Sequence, residues 1–171
     1  MEHDDAAEYM DIVDERDEVI GRDTRARIHA RHDIHRGVHV FVVNAAGELL
    51  LQRRARTTRD YPRHWDASAG GQVAAGESYE QAAVRELEEE LGCPPGPLRL
   101  IAKYDSFSVR QREKRALFAH ACDGPFSPSP HVEAVRFATP EEVVRLLAAE
   151  PFTEGFRRSF ALWLPVRDAA G

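Results

Sequence analysis

Three glutamates, Glu86, Glu89 and Glu90, fall within one predicted helical turn and could together bind a hard divalent cation. A helix rotates by about 100° per residue, so the three side chains share an arc of about 100°. Carboxylate oxygens suit Mg²⁺, which also keeps water ligands and accepts phosphate oxygens. The spacing is therefore typical of a site for metal-assisted phosphate chemistry, with Mg²⁺ or Mn²⁺ as the ion.

The same glutamates have a second interpretation, a solvated acidic helix face, which is common in proteins. Like charges at positions i and i+4, such as Glu86 and Glu90, destabilise a helix by roughly a few tenths of a kcal/mol. Arg85 lies beside the cluster and could orient one carboxylate through a bidentate pair, and Glu77 lies just before the helix. The carboxylate spacing alone leaves both interpretations open.

The helix that carries these glutamates is predicted over residues 79–91. Ser78 and Gln81 have the spacing of a capping box at its start. Gly92 ends the helix, and the prolines that follow prevent it from restarting. Its apolar stripe is expected to face the core and consists of Ala83, Val84, Leu87 and Leu91.

The remaining elements predict a mixed architecture. Strands are expected as a short hairpin around residues 12–20, a second hairpin over 38–43 and 48–52, and single strands over 98–107, 117–122 and 132–137. Further helices are expected after Thr139, where a capping box and a proline occur, and over residues 153–164. Because strands and helices do not alternate regularly, the fold class is α/β or α+β, with helices packed on a mixed sheet.

Length and charge limit the possible function classes. The 171 residues fit one domain, with residues 1–10 expected as a flexible acidic N-terminus and residues 11–171 as the domain. Residues 1–20 carry a net charge of −8 and the rest carry +2, which disfavours a nucleic-acid partner. The apolar runs are too short to span a membrane, and no signal peptide is visible. Cys93 and Cys122 predict reduced thiols in a cytoplasmic protein.

From Gly71 to Cys93 the sequence reads G-x5-E-x7-R-E-L-E-E-E-L-G-C, which resembles the Nudix box, G-x5-E-x7-R-E-U-x-E-E-x-G-U. All seven fixed residues are present, and Cys93 replaces a larger aliphatic residue, a mild departure because buried cysteine is a small hydrophobe. The resemblance implies the Nudix fold, an α/β/α sandwich around a mixed β-sheet. It also implies hydrolysis of a nucleoside diphosphate linked to another group.

The same resemblance implies roles for individual residues. Glu86, Glu89 and Glu90 would be the metal carboxylates, and a backbone carbonyl at Gly70 or Gly71 would be a further ligand. Arg85 and Glu77 would be their structural supports.

The strand His35–Phe41, the strand end Leu50–Arg54, and the residues Tyr61, Pro62 and Trp65 carry a second resemblance. Through them residues 11–73 are similar to a Nudix subgroup that resembles isopentenyl diphosphate isomerase. That isomerase has a cysteine after its tryptophan-containing strand and a histidine metal ligand close behind, where this chain has Gly70 and Gln72. A glycine cannot transfer a proton to an alkene, so a hydrolase is favoured over the isomerase. Without the rest of that site, the histidines at positions 29, 32, 35 and 39 are expected to be at the surface or hydrogen-bonded.

A nucleotide-sensing module without turnover is the other alternative. Such modules typically lose box carboxylates, whereas all of them are present here. The expected partner is a small-molecule nucleotide or diphosphate, and both a monomer and a homodimer remain possible.

Candidate substrate-binding and catalytic residues lie outside the box as well. Five arginines occur within residues 53–63, and planar guanidinium groups suit phosphate oxygens. Arg53 and Arg54 are expected to contact phosphate. A general base is expected from Glu86 or Glu89, or from a later carboxylate, Glu113 or Glu133.

Overall fold

The structure is a computed structural model that describes residues 8–169. Its strands are β1 (Tyr9–Val13), β2 (Val19–Thr24), β3 (Ile34–Val43), β4 (Leu49–Arg54), β5 (Trp65–Asp66), β6 (Ala69–Gln72), β7 (Leu98–Phe107), β8 (Arg112–Ala121) and β9 (Val132–Ala138). Its helices are α1 (Arg25–Arg31), α2 (Tyr79–Leu91), α3 (Pro140–Ala149) and α4 (Glu154–Trp163), followed by a 3₁₀ turn at Leu164–Val166. Within these residues, no helix combines the length and apolar character needed to cross a membrane.

A mixed sheet forms the centre of the molecule, in the order β5-β4-β3-β8-β7. Strand β3 pairs in parallel with β8 along its whole length, and β7 pairs antiparallel with β8. On its other edge β3 pairs with β6 over residues 37–40 and meets β4 at Val43 and Leu49. Strands β4 and β6 therefore lie on the same edge of β3, with β4 at the end of β3 and β6 over its middle. The two strands separate from each other at this edge.

Helices cover both faces of this sheet. Successive residues of a strand point to opposite faces, so the apolar residues of β3 pack on both sides. In β3, Val40 and Val42 pack with α2, whereas Phe41 between them packs with α4. On the face covered by α4, the ring of Phe41 contacts the rings of Phe156 and Trp163. The prediction of an α/β/α sandwich around a mixed sheet is confirmed.

Two predicted features need correction. The predicted hairpin of residues 38–52 forms only next to its turn, where Val43 of β3 pairs with Leu49 of β4. Beyond that point β4 pairs with β9 and β5, because β6 occupies the edge of β3. The boundary expected after residue 10 falls inside β1, which starts at Tyr9, and Met10 is fully buried. The rest of that N-terminal segment, residues 1–7, lies outside the described residues.

Candidate active site

Helix α2 has the bounds and caps that the sequence predicts. The Ser78 hydroxyl accepts from the Gln81 backbone N–H, and the Gln81 side chain accepts from the Ser78 backbone N–H. Gly92 ends the helix in the left-handed conformation, with φ of 57°. The buried face differs from the prediction, since Val84 is 38% exposed while Glu86 is buried. The helix is therefore rotated so that part of its acidic side faces the protein.

Glu86 packs against a strand whose glycine makes room for it. An ideal Cβ built on Gly71 of β6 would lie 2.2 Å from Glu86 Oε1. Any larger residue at position 71 would fill the space that the carboxylate occupies. The glycine at the start of the box is therefore required by the close approach of α2 to β6.

Arg85 orients the carboxylates around it. Its Nε and Nη2 atoms donate to the two carboxylate oxygens of Glu77 at 2.9 Å. Its Nη1 atom donates to Glu86 Oε1 at 2.8 Å and to Glu89 Oε2 at 3.3 Å, and Nη2 also donates to the Gln72 carbonyl. One guanidinium group thus ties the loop before α2, the helix and strand β6 together.

Glu90 lies at the divergence of β4 and β6. Its Oε2 atom accepts from Gln52 Nε2 of β4 at 3.0 Å and from the Gly70 backbone N–H of β6 at 3.2 Å. Glu89 differs from its neighbours because its side chain is 59% exposed. The carboxylates of Glu86 and Glu90 therefore face the protein, whereas that of Glu89 lies at the solvent-exposed rim.

The electrostatics of this cluster favour a cation. Burial raises the pKa of Glu86, although the charge of Arg85 opposes this effect, and burial together with the charge of Glu86 raises the pKa of Glu90. Both groups would be charged more easily if a positive ion neutralised them. Glu86 and Glu89 share the Arg85 guanidinium, and Glu86 occupies the space that Gly71 leaves open. Together with Glu90 they form a donor set that fits a hard divalent metal.

Asp66 of β5 belongs to the same region and was not predicted. Its charge contributes to the raised pKa of Glu90. Asp66 Oδ1 accepts from the Thr153 hydroxyl at 2.8 Å, and Asp66 Oδ2 lies 3.6 Å from Arg54 Nη1. No local pattern in the sequence points to Asp66, because β5 is two residues long and reaches the site through its pairing with β4.

The two predicted phosphate-binding arginines have different surroundings. Arg54 lies near Asp66, and its Nε donates to the Asp60 carbonyl at 3.0 Å. Arg53 points to the other face of β4, where it lies 3.4 Å from Glu133 and over the ring of Trp65. Gln52, which binds Glu90, shares a strand face with Arg54. The structure therefore brings Arg54, and not Arg53, to the side of the carboxylates.

Glu113 and Glu133 are not in contact with the glutamates of α2. Strand β6 separates Glu113 from them, because Gly71 faces Glu86 while the next residue, Gln72, donates to Glu113 from the opposite face. Burial alone would raise the pKa of Glu113, but the charge of Arg115, with which it forms an ion pair, holds it well below its usual value. A carboxylate held this way is a weak base, so its contacts favour a structural ion pair.

Two of the histidines lie in the interior rather than at the surface. His35 is fully buried beside Glu113, with 3.6 Å between Nε2 and the carboxylate. His39 is bonded through Nδ1 to the Ser159 hydroxyl at 2.8 Å. Burial, assisted by the charge of Arg115, lowers the pKa of His39 to about 4, so the ring is neutral.

Comparison with known proteins identifies the family of this chain. The family model described as the NUDIX domain matches residues 33–163. The chain is 35% identical to the Nudix hydrolase PA4841 of Pseudomonas aeruginosa, covering 92% of this chain and 94% of the relative. It is 35% identical to the Nudix hydrolase YfcD of Escherichia coli, covering 93% and 88%.

A solved structure has a similar fold. DR0079 from Deinococcus radiodurans superposes with a TM-score of 0.79 and 28% identity, covering 91% of this chain and 99% of that one. The family model covers most of the chain, and the box residues Gly71, Arg85 and Glu86 make the contacts described above. The chain belongs to the Nudix hydrolase family.

Proposed function

We propose that this protein is a divalent-metal-dependent hydrolase that splits a phosphoanhydride bond in a nucleoside diphosphate, a nucleoside triphosphate or a related diphosphate compound. The observation that carries the proposal is the packing of the Glu86 and Glu90 carboxylates against β6, where Glu86 is buried and Glu90 is half-buried. The Arg85 guanidinium donates to Glu86 and Glu89 beside them. Burying carboxylates without matching positive charge costs free energy, and a cation would offset that cost.

Glu86, Glu89 and Glu90 would hold the metal, with the Gly71 backbone carbonyl as a further ligand. A bound Mg²⁺ or Mn²⁺ polarises phosphoryl oxygens and lowers the pKa of a coordinated water. Arg85 fixes the Glu86 carboxylate, and Gln52 with the Gly70 N–H fixes that of Glu90. These contacts leave the remaining carboxylate oxygens available.

Water would attack phosphorus, and the bond from that phosphorus to the bridging oxygen would break. Glu89 is the best-placed base for the proton of the attacking water, because its side chain is exposed at the rim of the cluster. Arg54 would bind substrate phosphate, since it lies on the side of the carboxylates and its guanidinium is a forked donor. Most of the rate would come from positioning and charge neutralisation.

The first test replaces Glu90. Incubated with Mg²⁺ and a panel of nucleoside diphosphates, nucleoside triphosphates, sugar nucleotides and dinucleotides, Glu90→Gln should lose turnover by about 100-fold or more, because one preorganised charge is removed. The thermal midpoint of the metal-free variant should not fall, since the change removes a buried charge and keeps the shape of the side chain. Product analysis and a melting curve measure the two effects.

Glu88→Gln is the matched control, because Glu88 is exposed on the same helix and outside the trio. It should keep wild-type turnover. Equal turnover in Glu90→Gln and the wild type would remove Glu90 from the site. Nucleotide binding without turnover by the wild type on every compound would indicate a sensing module instead.

Gly71→Ala tests the close approach of the helix to β6. The added methyl group would overlap the Glu86 carboxylate and displace it. The affinity for Mn²⁺, measured by calorimetry, should fall by about 10-fold or more. Gly21→Ala is the control, because its nearest neighbour is an ordinary 3.6 Å contact with Ile12. Unchanged Mn²⁺ affinity in Gly71→Ala would contradict the assigned position of Glu86.

Arg54→Ala tests the phosphate contact. Loss of a charge-assisted hydrogen bond should raise KM by about 10- to 100-fold and leave kcat much less affected. Steady-state kinetics on the best substrate of the panel separates the two parameters. Arg56→Ala changes an exposed arginine that follows β4 by two residues, and it should behave as the wild type. A KM in Arg54→Ala that matches that of Arg56→Ala would rule out the contact.

A further inference from the structure

A second group of metal-binding side chains lies away from the glutamates and consists of Cys93, His120 and Cys122. One ring nitrogen of His120 and the two sulfur atoms all lie within 4.8 Å of one another. Cys93 directly follows Gly92, which caps α2, whereas His120 lies near the end of β8 and Cys122 directly follows that strand. The group thus joins the end of the carboxylate helix to the central sheet.

The distances suit a tetrahedral ion. The two sulfur atoms are 3.4 Å apart. Two sulfur atoms at about 2.3 Å from a tetrahedral zinc ion lie roughly 3.8 Å from each other, so the pair would separate slightly on binding. A disulfide would need a sulfur–sulfur distance of about 2.05 Å. Both cysteines are free thiols.

The imidazole of His120 is held in the tautomer that a metal requires. Its Nδ1 lies 3.1 Å from the carbonyl oxygen of Pro97, and a carbonyl can only accept, so Nδ1 carries the proton. The lone pair is therefore on Nε2. A backbone carbonyl that accepts from the second ring nitrogen is the usual support of a metal-bound histidine. Gly96 packs so closely on this ring that a Cβ there would lie 2.7 Å from Cε1.

The thiols have supporting contacts of the same kind. The Gly124 backbone N–H donates to the Cys122 sulfur at 3.4 Å, which stabilises negative charge on that atom. Cys93 and His120 are buried and Cys122 is half-buried. A small cavity lined by Leu87, Glu88 and Cys93 adjoins the Cys93 side of the group.

We infer that Cys93, His120 and Cys122 form a second metal site, which binds one zinc ion with two thiolates, one imidazole and a water molecule. Two sulfur ligands and one nitrogen select a soft or borderline ion over Mg²⁺, so this site and the carboxylate cluster take different metals. The ion would tie α2 to β8 and stabilise the fold. This inference does not depend on the proposed hydrolysis.

The test uses the full chain, reduced and free of metal, in excess Mg²⁺. Zn²⁺ is titrated against a chromophoric chelator, and Co²⁺ is added in a parallel experiment. The wild type should bind Zn²⁺ at this site and give the intense absorption of cobalt–thiolate bonds. Cys122→Ser and His120→Asn should each lower the Zn²⁺ affinity by about 100-fold or more, because one ligand is lost. Zn²⁺ should raise the thermal midpoint of the wild type but not of Cys122→Ser.

Two control variants separate this site from other zinc-binding groups. Glu90→Gln removes a carboxylate of α2 and should keep the thiolate-bound ion. His131→Asn replaces an exposed histidine and should leave Zn²⁺ affinity unchanged.

Undiminished Zn²⁺ affinity in both Cys122→Ser and His120→Asn would overturn the inference. If these variants do not fold, the wild-type spectrum decides, since Co²⁺ binding without cobalt–thiolate absorption would also overturn it. Formation of a Cys93–Cys122 disulfide with Zn²⁺ and reductant present would do the same.

Discussion

The burial of carboxylate charge between helix α2 and strand β6 is the constraint on which the rest of this structure depends. Glu86 and Glu90 face the protein, and the pKa of each is raised mainly because it is buried. Arg85 compensates part of this charge through bonds to Glu77, Glu86 and Glu89. The proposed divalent cation would supply further positive charge and so favour the ionised form of these glutamates.

The surrounding fold brings helix α2 and the strands into this geometry. The divergence of β4 from β3 leaves an edge that β6 fills, and Gln52 and Gly70 reach Glu90 from the two sides of that opening. The glycine at position 71 allows the helix to approach, and the capping box at Ser78 fixes where the helix begins. Gly71 and Ser78, which are typical turn and cap residues, thus determine where the carboxylates lie.

Local sequence patterns predicted the elements well, because caps, apolar spacing and glycines act over short ranges. Helix α2, its end at Gly92 and the helix over residues 153–164 were all visible in the sequence. The rotation of α2 was not, since Val84 and Glu86 exchange the expected environments once β6 supplies the glycine pocket. A helical wheel uses only the residues of the helix, so it assigns the apolar stripe to the core. It cannot show that a neighbouring strand has space for a carboxylate.

Contacts between distant segments were the least predictable part of the site. Asp66 reaches it through the pairing of a two-residue strand, and Arg53 and Arg54 separate because neighbouring strand residues face opposite sides. Glu113 was a candidate general base in the sequence, yet it lies in β8 and is paired with Arg115. Sheet register decides each of these cases, and register is not encoded in any one segment.

The most direct measurement of the central claim is the pH dependence of Mg²⁺ binding, followed by calorimetry in buffers that differ in ionisation enthalpy. Raised carboxyl pKa values mean that part of the metal-free protein is protonated toward neutral pH. Binding should therefore release protons there, and its affinity should increase as the pH rises and the carboxyl groups ionise. Absence of Mg²⁺ binding, or an affinity independent of pH with no proton release, would contradict the account.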